Sequence, residues 1–351
     1  MKHFHCSNCN HRVFIDSSLC VHCGNTIGFV PSALEMQAFL LPGAAPRAYC
    51  ANARHDACNW LVPADHAGGF CVACELNQEI PNLSSPQRLH AWKLLERAKK
   101  NFIYSLLRFG LPFGPDRLGA DALKFDFAEG KMTGFLNSVI TINISETDAV
   151  EREKQRQYFD EPYRTLLGHL RHESGHFYWK VLVENSPALA RFRALFGDER
   201  QDYATALARH HQFGPADGWQ TSCVSAYASV HPWEDWAETW AHYIHMVDAV
   251  ETAEQEGMEP RSAAMNFGMA WPYQRYDVYR ESDFESLKSR WVPLTIALNT
   301  LNRSIGHEDF YPFVTPERAY EKLAFIHQLI RDCAARWINL PFDGTVKRER
   351  S

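Results

Sequence analysis

The chain has no apolar run long enough to span a bilayer. The best, Trp291-Val292-Pro293-Leu294-Thr295-Ile296-Ala297-Leu298, falls far short of the roughly 20 residues required. The start, Met1-Lys2-His3-Phe4-His5-Cys6, carries no apolar signal core. No membrane contact is therefore expected, and a cytoplasmic, reducing location is. There is no low-complexity tract, and no internal repeat beyond two cysteine clusters. There is no excess of basic charge either. Lys and Arg number 36 against 42 Asp and Glu, for a net charge of −6 and a pI near 6.3. That balance argues against broad binding to phosphate backbones, so nucleic acid is not an expected partner. In a reducing compartment the ten cysteines read as metal ligands rather than disulfides.

What is present is uneven along the chain. The 351 residues allow one to three domains, and 46% hydrophobic content is enough for a buried core. Eight of the ten cysteines fall before residue 75. Cys6 and Cys9 form one CxxC and Cys20 and Cys23 a second, with ten residues between the pairs. Two such knuckles complete a tetrahedral four-cysteine zinc site. The stretch is too short to bury a core unaided, so metal would supply its folding energy. Cys50, Cys58, Cys71 and Cys74 follow, with looser spacing, as a second four-cysteine site; His55 and His66 are possible substitute ligands. All-cysteine tetrahedra leave no open position, so both zincs are expected to be structural. Residues 1–80 thus read as a zinc-ribbon module, and 81–351 as a separate globular domain.

The boundary lies near Pro81 to Pro86. Ser85 suits an N-cap and Pro86 the first helical position, opening a helix that runs to about Phe109 before Gly110 and Pro112. Phe125 and Phe127, then Ile140, Ile142 and Ile144, alternate with polar residues as strands do. A helix is expected to start near Pro162, with Leu166, Leu167, Leu170 and Phe177 on its buried side. Asp198 is a candidate N-cap further on. Pro232 fits another helix start, and Thr315-Pro316-Glu317 opens the last long helix, towards Trp337.

The Pro162 helix carries His172-Glu173-Ser174-Gly175-His176. Histidines four apart lie one turn apart on one helix face and can bind a single Zn²⁺, with Glu173 in reach of a water as general base. Gly175 is expected to keep space open beside the ion. A third ligand is available in the segment His231-Pro232-Trp233-Glu234-Asp235-Trp236-Ala237-Glu238. Two carboxylates four apart on a tryptophan-rich helix need a partner if they are buried. Glu234 would complete a two-His, one-Glu site, with Glu238 accepting from the far nitrogen of a ligand histidine such as His172. Glu238 or His242 as the third ligand remains an alternative.

His172 to His176 followed by the Glu234-to-Glu238 segment resembles the gluzincin metallopeptidases. The ExxAE spacing is similar to that of the anthrax lethal factor catalytic domain. The pairing of ribbon and peptidase core also resembles a bacterial family of zinc-ribbon metallopeptidases, over nearly the whole chain. The resemblance implies that Tyr227, seven residues before Glu234, stabilises the transition state. It further implies that Ile140 to Ser145 is an edge strand whose Ile142 and Asn143 pair with an extended peptide. The expected fold is α+β: a mainly helical zincin-like domain with a small antiparallel sheet, preceded by the ribbon module. The expected activity is peptide hydrolysis with one catalytic and two structural Zn²⁺, the ribbons recruiting a protein partner or substrate. A ribbon-based binding protein on an inactive peptidase scaffold and a non-peptidase zinc amidohydrolase are the alternatives.

Overall fold

Three short antiparallel hairpins open the chain: β1 (Phe4–His5) with β2 (Arg12–Val13), β3 (Ile27–Val30) with β4 (Glu35–Ala38), and β5 (Arg47–Tyr49) with β6 (Leu61–Pro63). The computed structural model describes residues 2–39, 46–158, 161, 164–258 and 276–337. Each CxxC knuckle folds the chain back on itself. The N–H of Asn10 donates to the Cys6 carbonyl and that of Gly24 to the Cys20 carbonyl, both at 2.8 Å. Both residues turn there with positive φ, 58° and 70°.

β7 (Asn77–Glu79) leaves the last cysteine pair and becomes the first strand of a four-stranded sheet with β8 (Lys124–Ala128), β9 (Gly134–Leu136) and β10 (Val139–Asn143). The order is β7-β8-β10-β9, with β7–β8 and β8–β10 parallel and β10–β9 antiparallel. The strand expected at the edge is therefore an inner one. Asn137 and Ser138 both take positive φ, 50° and 62°, and turn β9 straight back onto β10. A two-residue turn of that kind matches strand twist and closes a tight hairpin. The N–H of Asn143 is also taken, donating to Thr133 Oγ1 at 3.1 Å. Ile142 is buried in the sheet. Neither residue lies on an open edge.

The helices are α1 (Pro86–Phe109), α2 (Pro115–Leu118), α3 (Ala149–Tyr158), α4 (Leu166–Leu182), α5 (Leu189–Phe196), α6 (Tyr203–Phe213), α7 (Pro232–Gln255), α8 (Phe284–Ser304) and α9 (Glu317–Trp337). α1 begins and ends as its sequence predicts. Ser85 Oγ accepts from the Arg88 N–H, and Gly110 closes it in the left-handed region. The α4 start expected near Pro162 lies outside the described residues. Asp198 caps no helix; Asp202, four residues on, accepts from the Thr205 N–H and opens α6. Among the described residues no helix is long and apolar enough to cross a membrane.

By internal packing the chain divides into two units, His3–Leu170 and Arg171–Ala334. The first holds both cysteine clusters, α1 and the sheet. Its aromatic centre is Phe4, Phe29, Trp60 and Tyr104, with Phe29 and Trp60 rings 4.9 Å apart. The expected boundary at residue 80 is crossed by polar contacts. Cys74 Sγ approaches Glu96 Oε2 at 3.6 Å, Asn77 Nδ2 donates to Glu96 Oε1 at 2.8 Å, and Lys99 Nζ pairs with Glu96 Oε1 at 2.9 Å. Lys99 also lies over the rings of Phe125 and Phe127, at 5.6 and 5.5 Å. Glu96 and Lys99 are both fully buried.

Breaking that ion pair on one side strands a buried carboxylate. Lys99→Met should destabilise the chain by about 3–5 kcal/mol, whereas Glu96→Leu combined with Lys99→Met should recover most of the loss. Urea unfolding of the two variants checks this; equal losses in both would show that the charges are not coupled.

Candidate metal centre

α4 and α7 meet at a point where neither can carry a larger side chain. A Cβ added to Gly175 would lie 2.7 Å from Ala237 Cα and 3.2 Å from its Cβ. Gly175 thus serves helix contact rather than open space at the site, which corrects the sequence expectation. Two indoles fix the register. Trp236 Nε1 donates to the Gly175 carbonyl at 2.7 Å, and Trp240 Nε1 to Ser174 Oγ at 3.0 Å. Both tryptophans are fully buried and stack with ring centroids 5.9 Å apart. Glu234 and Glu238, one turn apart on α7, are thereby set against His172 and His176, one turn apart on α4.

The result is a clamp on His172. Its Nδ1 donates to Glu238 Oε1 at 2.6 Å, and Ser225 Oγ donates to the other oxygen of Glu238, also at 2.6 Å. Its Nε2 faces Glu234 Oε2 at 3.0 Å, while His176 Nε2 lies 3.7 Å from Glu234 Oε1. One donor atom from each of His172, His176 and Glu234 falls within 4.8 Å of the other two. Glu234 is 2% exposed, and its Oε2 receives no hydrogen bond. With Nδ1 already donating, a neutral His172 would point a lone pair at that carboxylate. Only a proton or a cation between them satisfies both. The donor set therefore fits a divalent metal.

The charges agree. Burial alone would lower the pKa of His172, but Glu234 and Glu238 outweigh it and hold the imidazole well above its ordinary value. A metal there would displace that proton. Burial drops His176 to about 4, so it stays neutral as a ligand must. Glu234 is pushed up by burial but pulled further down, to about 2, by the two histidines and by a tyrosine hydroxyl.

That tyrosine is Tyr203, at the start of α6, whose hydroxyl donates to Glu234 Oε1 at 2.8 Å. Tyr227 lies beside it, with its ring centroid 6.0 Å from that of His172. Burial, then the nearby Glu234 carboxylate, raises the pKa of both hydroxyls, and the Glu173 charge adds to the effect. Sequence reasoning misses Tyr203, which carries no signal of spacing: it stands 31 residues before its partner, in another helix. It also misses Lys322 of α9. That lysine binds Asp235 Oδ2 at 2.5 Å and the Ser222 carbonyl at 2.6 Å, tying down the segment that carries Ser225 and Tyr227. A lysine spaced regularly on an amphipathic helix gives no warning that it will be buried.

The remaining histidines go elsewhere. His242 Nδ1 meets the Tyr311 hydroxyl at 2.6 Å. His231 caps α7, its Nδ1 accepting from the Trp233 N–H at 3.1 Å. The two cysteine sets assemble as grouped in the sequence. Each set brings its four sulfurs within 4.8 Å of one another, without His55 or His66. Cys6–Cys23, Cys9–Cys20 and Cys58–Cys71 are each 3.7 Å apart. Sulfurs about 2.3 Å from one tetrahedral ion would stand about 3.8 Å apart. Both sets thus have the chemistry and the spacing of zinc sites.

The family model described as "Putative zinc-binding metallo-peptidase" matches residues 88–329, and one described as a zinc-ribbon domain matches residues 3–85. Uncharacterized proteins of Mycobacterium bovis and Mycobacterium tuberculosis are each 42% identical to the chain over 340 residues, covering 95% of it and 96% of their own lengths. No solved structure matches the chain.

Gly175→Ala drives a methyl into the Ala237 backbone, so α4 and α7 must separate. The expected cost is about 1–3 kcal/mol, accompanied by loss of metal uptake at the His172, His176 and Glu234 centre. Denaturant unfolding and metal analysis check both. A variant that keeps stability and metal content would show that the close approach is not required.

Proposed function

The chain belongs to the zinc-binding metallo-peptidase family whose model it matches, and on that premise we propose that it is a gluzincin-like zinc peptidase. The observation that carries the reading is the gathering of His172, His176 and the buried Glu234, whose Oε2 faces the His172 Nε2 at 3.0 Å while Oε1 lies 3.7 Å from His176 Nε2. His172, His176 and Glu234 would hold the catalytic Zn²⁺, and Glu238 would orient His172 through Nδ1. Bound there, Zn²⁺ supplies polarisation of the scissile carbonyl and lowers the pKa of water.

The chain's own groups carry the rest. Glu173 takes a proton from the attacking water and passes it to the leaving amine. Tyr227, its ring beside that of His172, donates its O–H to the oxygen that gains charge as the carbonyl carbon becomes tetrahedral. Its raised pKa keeps that proton on at neutral pH. The spacing of these residues along the chain resembles the lethal-factor pattern, and the substrate proposed is a peptide or protein.

The two four-cysteine sets would hold structural Zn²⁺. The first set has Phe14 and Val21 standing out at 65% and 86% exposure, which supports recruitment of a protein partner by the ribbon. Cysteines that hold metal rather than forming disulfides suit a reducing, cytoplasmic setting.

Glu173→Gln should retain metal and lose peptidase activity on a proteome-derived peptide library by at least about 100-fold. Full activity in that variant would overturn the mechanism. Glu234→Ala should lower zinc per chain from about three to about two, both values following from the two all-cysteine sets and the one open site. Unchanged stoichiometry would move the third ligand to Glu238 or His242.

A further inference from the structure

The two oxygens of Glu234 are not equivalent. Oε1 accepts the Tyr203 hydroxyl at 2.8 Å, whereas Oε2 is left facing only His172 Nε2, at 3.0 Å. The single proton of the Tyr203 hydroxyl is committed to the bond with Oε1.

The frame around Tyr203 is built to hold it. Asp202 caps α6 immediately before it, with the Thr205 N–H donating at 2.7 Å. The tyrosine ring packs edge-on against His231, the residue that caps α7, with centroids 5.4 Å apart. The start of α6 is thus fixed to the start of α7, where Glu234 stands.

We infer that Tyr203 is a positioning residue which occupies one oxygen of Glu234 and leaves only the other to a metal. This rests on the peptidase reading above. A carboxylate with one oxygen spoken for offers a cation a single atom and leaves room around the ion for water and a carbonyl. Freed of the tyrosine, both oxygens can turn towards the ion. No proton is gained or lost in this role; Tyr203 keeps its own throughout.

The test compares wild-type full-length chain with Tyr203→Phe and with Glu234→Ala, which defines the signal of this centre against the two four-cysteine sets. Phenylalanine keeps the ring packing, and an unchanged thermal transition of the metal-free chains verifies that it folds. Zn²⁺ affinity, by competition with a chelator, should fall about 10-fold in Tyr203→Phe, the low end for losing a group that orients a ligand. The visible spectrum of the Co²⁺-loaded chain, in the part that Glu234→Ala abolishes, should change in intensity and position. Peptide turnover should lose kcat more than KM. Equal affinity and an identical Co²⁺ spectrum in wild type and Tyr203→Phe would overturn the role of Tyr203 alone. Absence of any Co²⁺ signal dependent on Glu234 in the wild type would overturn the centre and this role together.

Discussion

The contact between Gly175 and Ala237 is the constraint on which the centre depends. A glycine on one helix and a small residue on the other let the two backbones come close enough for side chains four apart to interlock. Donors from Trp236 and Trp240 then fix the sliding position, because each indole N–H is buried and must find its acceptor. A slip of one residue would leave two buried donors unsatisfied, at about 1–3 kcal/mol each. The spacing of four that repeats in His172 and His176, in Glu234 and Glu238, and in Trp236 and Trp240 is one fact seen three times. Two helices are locked in register along facing stripes.

Locking the helices brings together charges that a core normally rejects. Glu234 is buried, Glu238 is partly so, and Asp235 is buried on the neighbouring face. Each has its own answer. Asp235 is paired with Lys322, yet burial still raises its pKa to about 6. Glu238 is held by His172 and Ser225. Glu234 has Tyr203 on one oxygen and only a ring nitrogen opposite the other. The unanswered atom is therefore informative. Three acidic side chains within five residues could be decoration in a sequence, but only the packing reveals which of them lacks a partner.

Local signals are legible in the sequence, and long-range ones are not. The first cysteine grouping is legible because its knuckles are local turns, completed within five residues by Asn10 and Gly24. α1 is legible from its cap, its proline and its closing glycine. The His172 to Glu238 pairing is legible because helical periodicity acts on both strips at once. The position of β10 is not. Alternation of Ile140 and Ile142 identifies a strand but says nothing of its neighbours, and the Asn137-Ser138 turn that returns β9 has no glycine to announce it. Gly175 misleads for a related reason: a sequence shows that a small residue is needed, not what presses on it. Tyr203 and Lys322 are invisible because their roles exist only across 31 and 87 residues of chain.

The two cysteine clusters lie within one ribbon-domain match but face different energetics. All four sulfurs of Cys50, Cys58, Cys71 and Cys74 are buried, whereas Cys9 and Cys23 of the first set are only partly covered. The buried set is bonded into the domain that follows: Cys74 meets Glu96, Glu96 meets Lys99, and Lys99 rests on the β8 phenylalanines. A tetrathiolate around a divalent ion carries net negative charge, and in a low-dielectric surround that charge needs a cation nearby. Lys99 stands between the cluster and Glu96, its charge held chiefly by the Glu96 carboxylate and then by Cys74. The first set is partly exposed at Cys9 and Cys23, where solvent screens charge. Phe14 and Val21 stand exposed near this first set, whereas the second is packed against the buried Glu96 and Lys99.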